Sequence, residues 1–243
     1  MFGSFLNVVV YRVPRKESVV KPRSRCPHCG RELTALDNVP VLSWLILRGR
    51  CRTCKAKISP KYLVGEIGTA VLWAAAFWRF DRPALAAVYA ALFWVLLALT
   101  LIDLEHKLLP NAIVYPSTVV AVAAFAAVAL AFGQSDALIR GLLAGAASFG
   151  VFLLIALIAP GGMGMGDVKL SFALGLALGV LGWRAVFAGF FLAFLSGAVT
   201  GIALMAAEKA GRKSAVPFGP FMAFGAVVTI LWTSGVTTLL PHG

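Results

Sequence analysis

Charged side chains are scarce in this chain, and acidic ones most of all: Asp and Glu together number 10 of 243 residues, against 22 Lys and Arg. Hydrophobic residues make up 60% of the chain, beyond the apolar share of about half that is usual for soluble domains. The hydrophobic runs also lack the polar alternation of membrane barrel strands. These absences exclude a soluble globular protein and indicate an integral membrane protein built from helices.

Seven hydrophobic stretches have the length of about 17–25 residues that a membrane-crossing helix needs. They lie at about 62–79, 84–102, 112–132, 138–159, 168–183, 185–206 and 216–240. The predicted fold class is therefore all-α, a polytopic transmembrane helical bundle with seven full spans. Residues 1–11 are apolar but about half the length of a span, and they lack the basic start of a signal peptide. We interpret them as a truncated first helix.

The positive charge is concentrated in one segment, since 13 of the 22 basic residues lie between Arg12 and Lys61. The positive-inside rule places this segment in the cytoplasm. With seven spans crossing in turn, eighteen basic residues fall on the cytoplasmic side and four on the other. Membrane orientation thus accounts for the net charge of +12, and no nucleic-acid partner is predicted. Asp103 and Asp167 fall on the same, cytoplasmic, edge of the bilayer.

All four cysteines occur in this basic segment, as the pairs Cys26 and Cys29 (CPHC) and Cys51 and Cys54 (CRTC). Two such turns separated by a short loop are typical of a structural zinc site. Disulfides or a redox pair are the alternative, which a reducing cytoplasm and the absence of a βαβ pattern disfavour. We predict a small zinc-binding domain at 12–61, with His28 facing solvent and the membrane domain at 62–243.

Two aspartates stand at predicted membrane boundaries, where carboxylates are costly and are by default candidates for function. Asp103 comes near the end of a helix that Pro110 must terminate. It is either a catalytic acid in apolar surroundings or an exposed residue paired with Lys107.

Asp167 lies in a glycine-rich break that includes Gly164 and Gly166. As an isolated residue it fits a helix N-cap, but the glycines allow a substrate to approach the backbone closely. Two neighbouring aspartates, one ionised and one protonated, can hydrolyse an amide through a shared water. The sequence therefore offers an aspartic peptidase site as its most specific hypothesis.

Four stretches together resemble the type IV prepilin peptidase family, whose members are bifunctional leader peptidases and N-methyltransferases. GSFLNVVVYRVP (3–14) is similar to the family's opening, and the cysteine segment with Glu66 is similar to its cytoplasmic zinc domain. DLEHKLLPN (103–111) and GMGMGDVKL (162–170) resemble its two catalytic motifs, the second being the GxGD box. The resemblance covers almost the whole chain.

This resemblance implies that Asp103 and Asp167 are the catalytic aspartates and that Gly164, Gly166 and Lys169 form a supporting loop. It implies prepilin or pseudopilin substrates, cut after a glycine at the cytoplasmic face of the bacterial inner membrane. It also implies methylation of the new N-terminus with S-adenosylmethionine. No glycine-rich nucleotide fingerprint is present, so the residues that bind this cofactor stay unassigned.

Three alternatives compete with this reading. A peptidase without methyltransferase activity needs only the two aspartates. A proton-coupled transporter would place its acids near the midplane of paired broken helices, whereas these aspartates lie at loop edges. A non-enzymatic scaffold that docks a partner through its zinc module leaves the aspartates without a role.

Overall fold

The computed structural model describes residues 2–21, 23–26, 28–34, 37, 39–159, 162–207 and 216–233. These residues are mainly helical and include no strand, which confirms the all-α prediction. The helices are α1 (Phe2–Arg12), α2 (Leu42–Ile46), α3 (Lys61–Arg79), α4 (Pro83–His106), α5 (Asn111–Ala131), α6 (Ser135–Ile158), α7 (Met165–Leu181), α8 (Trp183–Ala206) and α9 (Gly219–Trp232), with a short 3-10 turn at Val13–Arg15.

Helices α3 to α9 coincide with the seven predicted spans. Four of them, α4, α5, α6 and α8, are long and apolar enough to cross a membrane, with 21 to 24 residues and mean hydropathies of 2.0 to 2.5. At about 1.5 Å per residue, 24 residues reach about 36 Å. Helices α7 and α9 are shorter, with 17 and 14 residues, and the last part of the predicted seventh span, from residue 234, lies outside the described residues. The chain is a multi-pass membrane protein.

Helix α7 is the centre of the bundle, since nearly all of its residues from Val168 to Leu181 are buried. It packs against α5, α6, α8 and α9. Helix α4 is tied to it by the Tyr89 hydroxyl, which is fully buried and donates to the carbonyl oxygen of Ala177 at 2.7 Å. Because α4 carries Asp103 and α7 carries Asp167, this bond fixes the relative heights of the two helices.

Glycines let α6 and α7 pack backbone to backbone. A Cβ on Gly179 would lie 2.5 Å from the Cβ of Ala144, and one on Gly175 would lie 2.7 Å from the carbonyl oxygen of the same alanine. Close helix packing is a common role of glycine in membrane helices. Gly150 and Gly201 do not have this role, because nothing lies within 4 Å of a Cβ added at either position.

Between α1 and α3, the described part of residues 13–60 forms what we call the cysteine loop. Apart from α2 and the 3-10 turn, its only regular features in that part are two isolated bridges, Arg25 with Glu32 and Arg50 with Lys57. Helix α1 packs along α3, where the Asn7 amide donates to the carbonyl oxygen of Tyr62 at 2.9 Å. The loop is thereby held at the end of the α1–α3 pair.

Candidate active site and metal centre

Asp103 lies in the last turn of α4, and only 5% of its surface is exposed to solvent. The backbone N–H of Gly219, the first residue of α9, donates to its Oδ2 at 3.1 Å. Lys107, the alternative partner considered from the sequence, forms no ion pair with it among the described residues. Instead Lys107 ends the helix in a left-handed conformation (φ 51), with its N–H bonded to the carbonyl oxygen of Asp103. Asp103 is therefore a buried acid at a helix end.

Asp167 lies in the first turn of α7 and is 7% exposed. The N-cap of that helix is Gly164, so the alternative of Asp167 as N-cap is not observed. Its Oδ1 is buried and has no hydrogen-bond partner among the described residues. A buried polar atom without a partner is costly, which marks this oxygen as one that another molecule can satisfy.

Helix α7 begins at Met165, three residues before the predicted start. Gly166 and Lys169, predicted as parts of a supporting loop, therefore lie in its first two turns, and of the three predicted loop residues Gly164 alone lies outside a helix. The prediction was wrong because glycine disfavours helix locally, while here the first turn is packed against buried neighbours. Pro160 and Gly161, which begin the glycine-rich stretch, lie outside the described residues.

Leu109 brings the two aspartates together. This buried side chain lies directly under Gly166, where an added Cβ would be 2.7 Å from its own Cβ. It also contacts Gly219, where an added Cβ would be 3.2 Å from its Cδ2. The first turns of α7 and α9 thus both pack against one leucine. This leucine lies beside the Gly219 whose N–H binds Asp103 and beside the helix turn that carries Asp167. The two motifs DLEHKLLPN and GMGMGDVKL form one site.

Lys169 joins the two motifs at a second point. Its Nζ donates to Asn111 Oδ1 at 3.0 Å and stands 5.1 Å from the ring centroid of Tyr115. Both partners belong to the first turns of α5. The structure therefore places Lys169 between α7 and α5, where it holds the entry of α7 in position, and it makes no described contact with either aspartate.

Gly219 is a site residue that the sequence analysis missed. It precedes Pro220 at the start of α9, and proline near the first helical position is a recognisable start signal. The free N–H groups of a helix start favour a carboxylate. The sequence signal could have placed a helix start here, but it does not indicate which of the ten acidic residues would meet it.

The four cysteines converge as predicted into a group that could hold a metal ion. Their Sγ atoms all lie within 4.8 Å of one another, with Cys26 and Cys54 3.7 Å apart. A tetrahedral zinc with bonds of about 2.3 Å separates its sulfurs by about 3.8 Å, so the donor set fits this ion. Backbone hydrogen bonds from Cys54 and Thr53 lower the pKa of Cys51 to about 6. A backbone hydrogen bond at Ala56 acts to lower the pKa of Cys54, but burial and the neighbouring cysteine side chains raise it to about 11, so Cys51 ionises more readily than Cys54. His28 is exposed and outside the group, as predicted.

The two cysteine turns have the same backbone pattern. The N–H of Cys26 bonds to the carbonyl oxygen of Arg31, and that of Cys51 bonds to the carbonyl oxygen of Ala56. The residue after each second cysteine is left-handed, with φ of 70° at Gly30 and 58° at Lys55. Two matching turns therefore present their sulfurs to a common centre.

Asp37 joins the halves of the cysteine loop. Its carboxylate accepts from Arg52 Nε at 2.8 Å and pairs with Arg31 at 3.4 Å. The backbone and hydroxyl of Thr34 also donate to it. Burial acts to raise the pKa of Asp37, but the hydrogen bonds from Arg52 and Thr34 outweigh it, so the pKa lies below its ordinary value.

Glu66 connects the cysteine loop to the membrane helices. On α3, its Oε1 accepts from the Ser4 hydroxyl of α1 and its Oε2 from the backbone N–H of Val41, each at 2.7 Å. Val41 has a positive φ of 61° and immediately precedes α2. A β-branched residue at positive φ is strained, so this carboxylate holds a turn that the chain does not favour by itself.

Two models of known protein families match this chain. A model of the bacterial peptidase A24 N-terminal domain matches residues 1–80, and a model of the type IV leader peptidase family matches residues 90–202. The first match includes the cysteine loop, and the second includes both aspartates. No solved structure matches the chain.

Similar proteins include three named prepilin leader peptidase/N-methyltransferase. The one from Stutzerimonas stutzeri is 34% identical over 98% of this chain and 89% of its own length. The one from Pseudomonas putida is 35% identical over 96% and 87%, and that of Bacillus subtilis (strain 168) is 35% identical over 97% and 92%. Such identity over nearly the full length of both chains shows that this protein belongs to the type IV leader peptidase family.

Proposed function

We propose that this protein is a membrane aspartic endopeptidase that removes the basic leader of type IV prepilins or pseudopilins after a glycine, and that it N-methylates the new N-terminal residue. The convergence of two buried aspartates, Asp103 and Asp167, around Leu109 carries the proposal. Family membership and the names of the relatives support both activities. The alternative of a peptidase without methyl transfer shares the same aspartates.

In this mechanism the two aspartates have different roles. Asp103 accepts the N–H of Gly219, and such a bond favours the charged form of a carboxyl; it is the base that takes a proton from water. Asp167 has a buried, unpartnered Oδ1; it carries the proton and donates it to the scissile carbonyl oxygen. The oxygen of that water adds to the carbonyl carbon and forms a tetrahedral diol. The C–N bond then breaks as the proton held by Asp103 passes to the leaving amine, and one hydroxyl proton of the diol returns to Asp167, which restores the starting protonation.

We infer that the site faces the cytoplasm at the inner membrane of a bacterium. Lys61 at the start of α3 pairs with Glu105 near the end of α4 at 3.2 Å, so the cysteine loop and Asp103 lie at one edge of the bundle. The basic residues of the cysteine loop favour the cytoplasmic side for that edge. Three of the eighteen basic residues counted on the cytoplasmic side, Lys209, Arg212 and Lys213, fall outside the described residues.

The four cysteines are proposed to hold a structural zinc ion, which would supply cross-links between the two turns and take no part in peptide hydrolysis. Cys26→Ser should lower the metal content from one zinc per chain to a small fraction, measured by elemental analysis of purified protein. Cleavage by this variant should persist, because Asp103 and Asp167 are far from Cys26 in sequence and are positioned by α4 and α7. Full zinc content in the variant would contradict the ligand set.

The methyl donor implied by the family is S-adenosylmethionine, and no described residue is assigned to it. The clefts of the cysteine loop are lined by cations, which disfavour a positively charged sulfonium.

The test is to incubate purified, detergent-solubilised protein with a synthetic prepilin, with and without S-adenosylmethionine, and to weigh the products by mass spectrometry. Asp103→Asn and Asp167→Asn should each abolish cleavage, whereas Glu105→Gln, an exposed acid two residues from Asp103, should retain it. Zinc content checks folding in every variant. Full cleavage by either aspartate variant would overturn the catalytic assignment. A cleaved product that gains no methyl mass would contradict the methyltransferase activity and support the alternative of a peptidase without it.

A further inference from the structure

Two adjoining clefts open on the cysteine loop, with volumes of about 460 and 430 Å³. Both are lined by Arg48 and Arg50; Lys55 lines the first and Lys57 the second. We call these four residues and the two clefts the basic cleft. Their combined charge creates a positive potential that attracts anions.

None of the four cations has an acidic partner among the described residues. The ion pairs within the described part of the loop both go to Asp37, from Arg31 and Arg52. All four residues of the basic cleft are exposed. The charge of the basic cleft is therefore available to a molecule from outside the chain.

An exposed apolar border adjoins these charges. On α2, Leu42, Leu45 and Ile46 are 58%, 54% and 75% exposed. Ile46 lines the same cleft as Arg48, Arg50 and Lys55. Apolar side chains exposed beside cations are typical of segments that lie in the membrane interface.

The basic cleft lies next to the start of α3 and near the end of α4. Its second part is lined by Ser59 and Pro60, and α3 begins at the next residue. Lys61 pairs with Glu105, one residue before the end of the membrane-capable helix α4. The basic cleft thus opens at the edge of the membrane-embedded bundle, at the level where lipid headgroups lie.

We propose that the basic cleft binds the phosphate of an anionic phospholipid, with Ile46 and its neighbours on α2 against the upper acyl chains. A soluble anion would use the four charges but leave the apolar border in water, and a basic peptide is repelled by like charge. An amphiphile with a negative headgroup satisfies both features. This proposal does not depend on the catalytic assignment of the aspartates.

The experiment uses the full chain in detergent micelles and counts bound lipid by native mass spectrometry. Phosphatidylglycerol is compared with phosphatidylcholine of the same acyl chains, and inorganic phosphate and glycerophosphoglycerol serve as soluble competitors. Wild-type protein should retain phosphatidylglycerol at roughly tenfold lower lipid concentration than phosphatidylcholine, and the soluble competitors should displace little of it.

Matched variants distinguish binding in the basic cleft from nonspecific attraction of anionic lipid to the positive charge of the chain. The double variant Arg48→Gln, Arg50→Gln should abolish the preference for phosphatidylglycerol, and so should Lys55→Gln, Lys57→Gln. The control Lys21→Gln, Arg23→Gln removes two exposed charges outside the clefts and should keep the preference. Ile46→Ser should weaken lipid retention with no change of charge. Zinc content shows whether each loop is folded.

Three results would overturn the proposal. One is equal retention of the two lipids by wild-type protein. Another is an equal loss in the cleft variants and the Lys21, Arg23 control, which would mean general electrostatic attraction. The third is full displacement by inorganic phosphate or glycerophosphoglycerol, which would mean a site for a soluble anion.

Discussion

The backbone N–H of Gly219 donates to the carboxyl of Asp103 across a sequence separation of 116 residues. The bond places the positive end of α9 at the negative end of α4, where an anion is otherwise disfavoured. Asp103 therefore owes its environment to a helix far from it in sequence. Perturbing Gly219 should alter the acid without touching either aspartate.

Gly219→Ala should reduce prepilin cleavage by roughly tenfold or more, because the added Cβ would lie 2.7 Å from Asp103 Oδ2 and must displace it; such small displacements cost about this much or more in rate. Single-turnover cleavage followed by mass spectrometry measures the effect. Gly150→Ala is the control, since its Cβ meets nothing within 4 Å. Equal cleavage rates in the two variants would show that Gly219 does not contribute to the site.

Gly166→Ala should also impair cleavage, because its Cβ would lie 2.7 Å from the Cβ of Leu109 and overpacking in a buried contact costs about 1–3 kcal/mol. Adding Leu109→Ala to this variant should restore part of the rate by removing the clash. Gly201→Ala, in open space on α8, should cleave as wild type does. If the double variant is no better than Gly166→Ala, Leu109 does not mediate the effect.

Glu66→Ala should loosen the attachment of the cysteine loop to α3. Alanine has no acceptor, so the hydrogen bonds that Ser4 and Val41 make to this residue are both lost. Hydrogen exchange should then be faster at the Val41 amide and in α2. Ser4→Ala removes one of the two bonds and is expected to have a smaller effect. An unchanged Val41 amide would show that Glu66 does not hold the turn.

Asp37→Asn should destabilise the cysteine loop at pH 7 by roughly 1 kcal/mol, a modest value because its arginine partners are partly exposed. Since the pKa of Asp37 is lowered by folding, its stabilising effect is present above the ordinary value of about 3.9 and is lost as the pH falls through the folded value. The temperature of metal release measures the difference between wild type and variant, which should shrink on acidification.

Glu32→Gln gives the matched control for this measurement, since Glu32 is exposed and forms no ion pair among the described residues. Protonation of the thiolates at low pH affects all three proteins alike, so only the difference between them is informative. A difference between wild type and Asp37→Asn that grows as the pH falls would reverse the inferred sign.

Much of this arrangement could be predicted from the sequence, because hydrophobic length specifies membrane helices and paired CxxC turns specify a cluster of sulfurs. The start of α7 could not, since Gly164 and Gly166 resemble a loop until Leu109 is known to pack against Gly166. The partner of Asp103 could not be predicted either. Gly219 offers a backbone N–H, and every residue except proline has one.

The hydrogen bond from Tyr89 to Ala177 limits how the protein can admit a peptide. Ala177 is ten residues from Asp167, about 15 Å along α7, so the bond lies deep in the bundle, well away from the acids. A shearing movement of α4 along α7 would leave a fully buried hydroxyl without an acceptor. A pivot about this point would keep the bond, and it would part the helices at the end that carries the carboxyls while the opposite end stays closed.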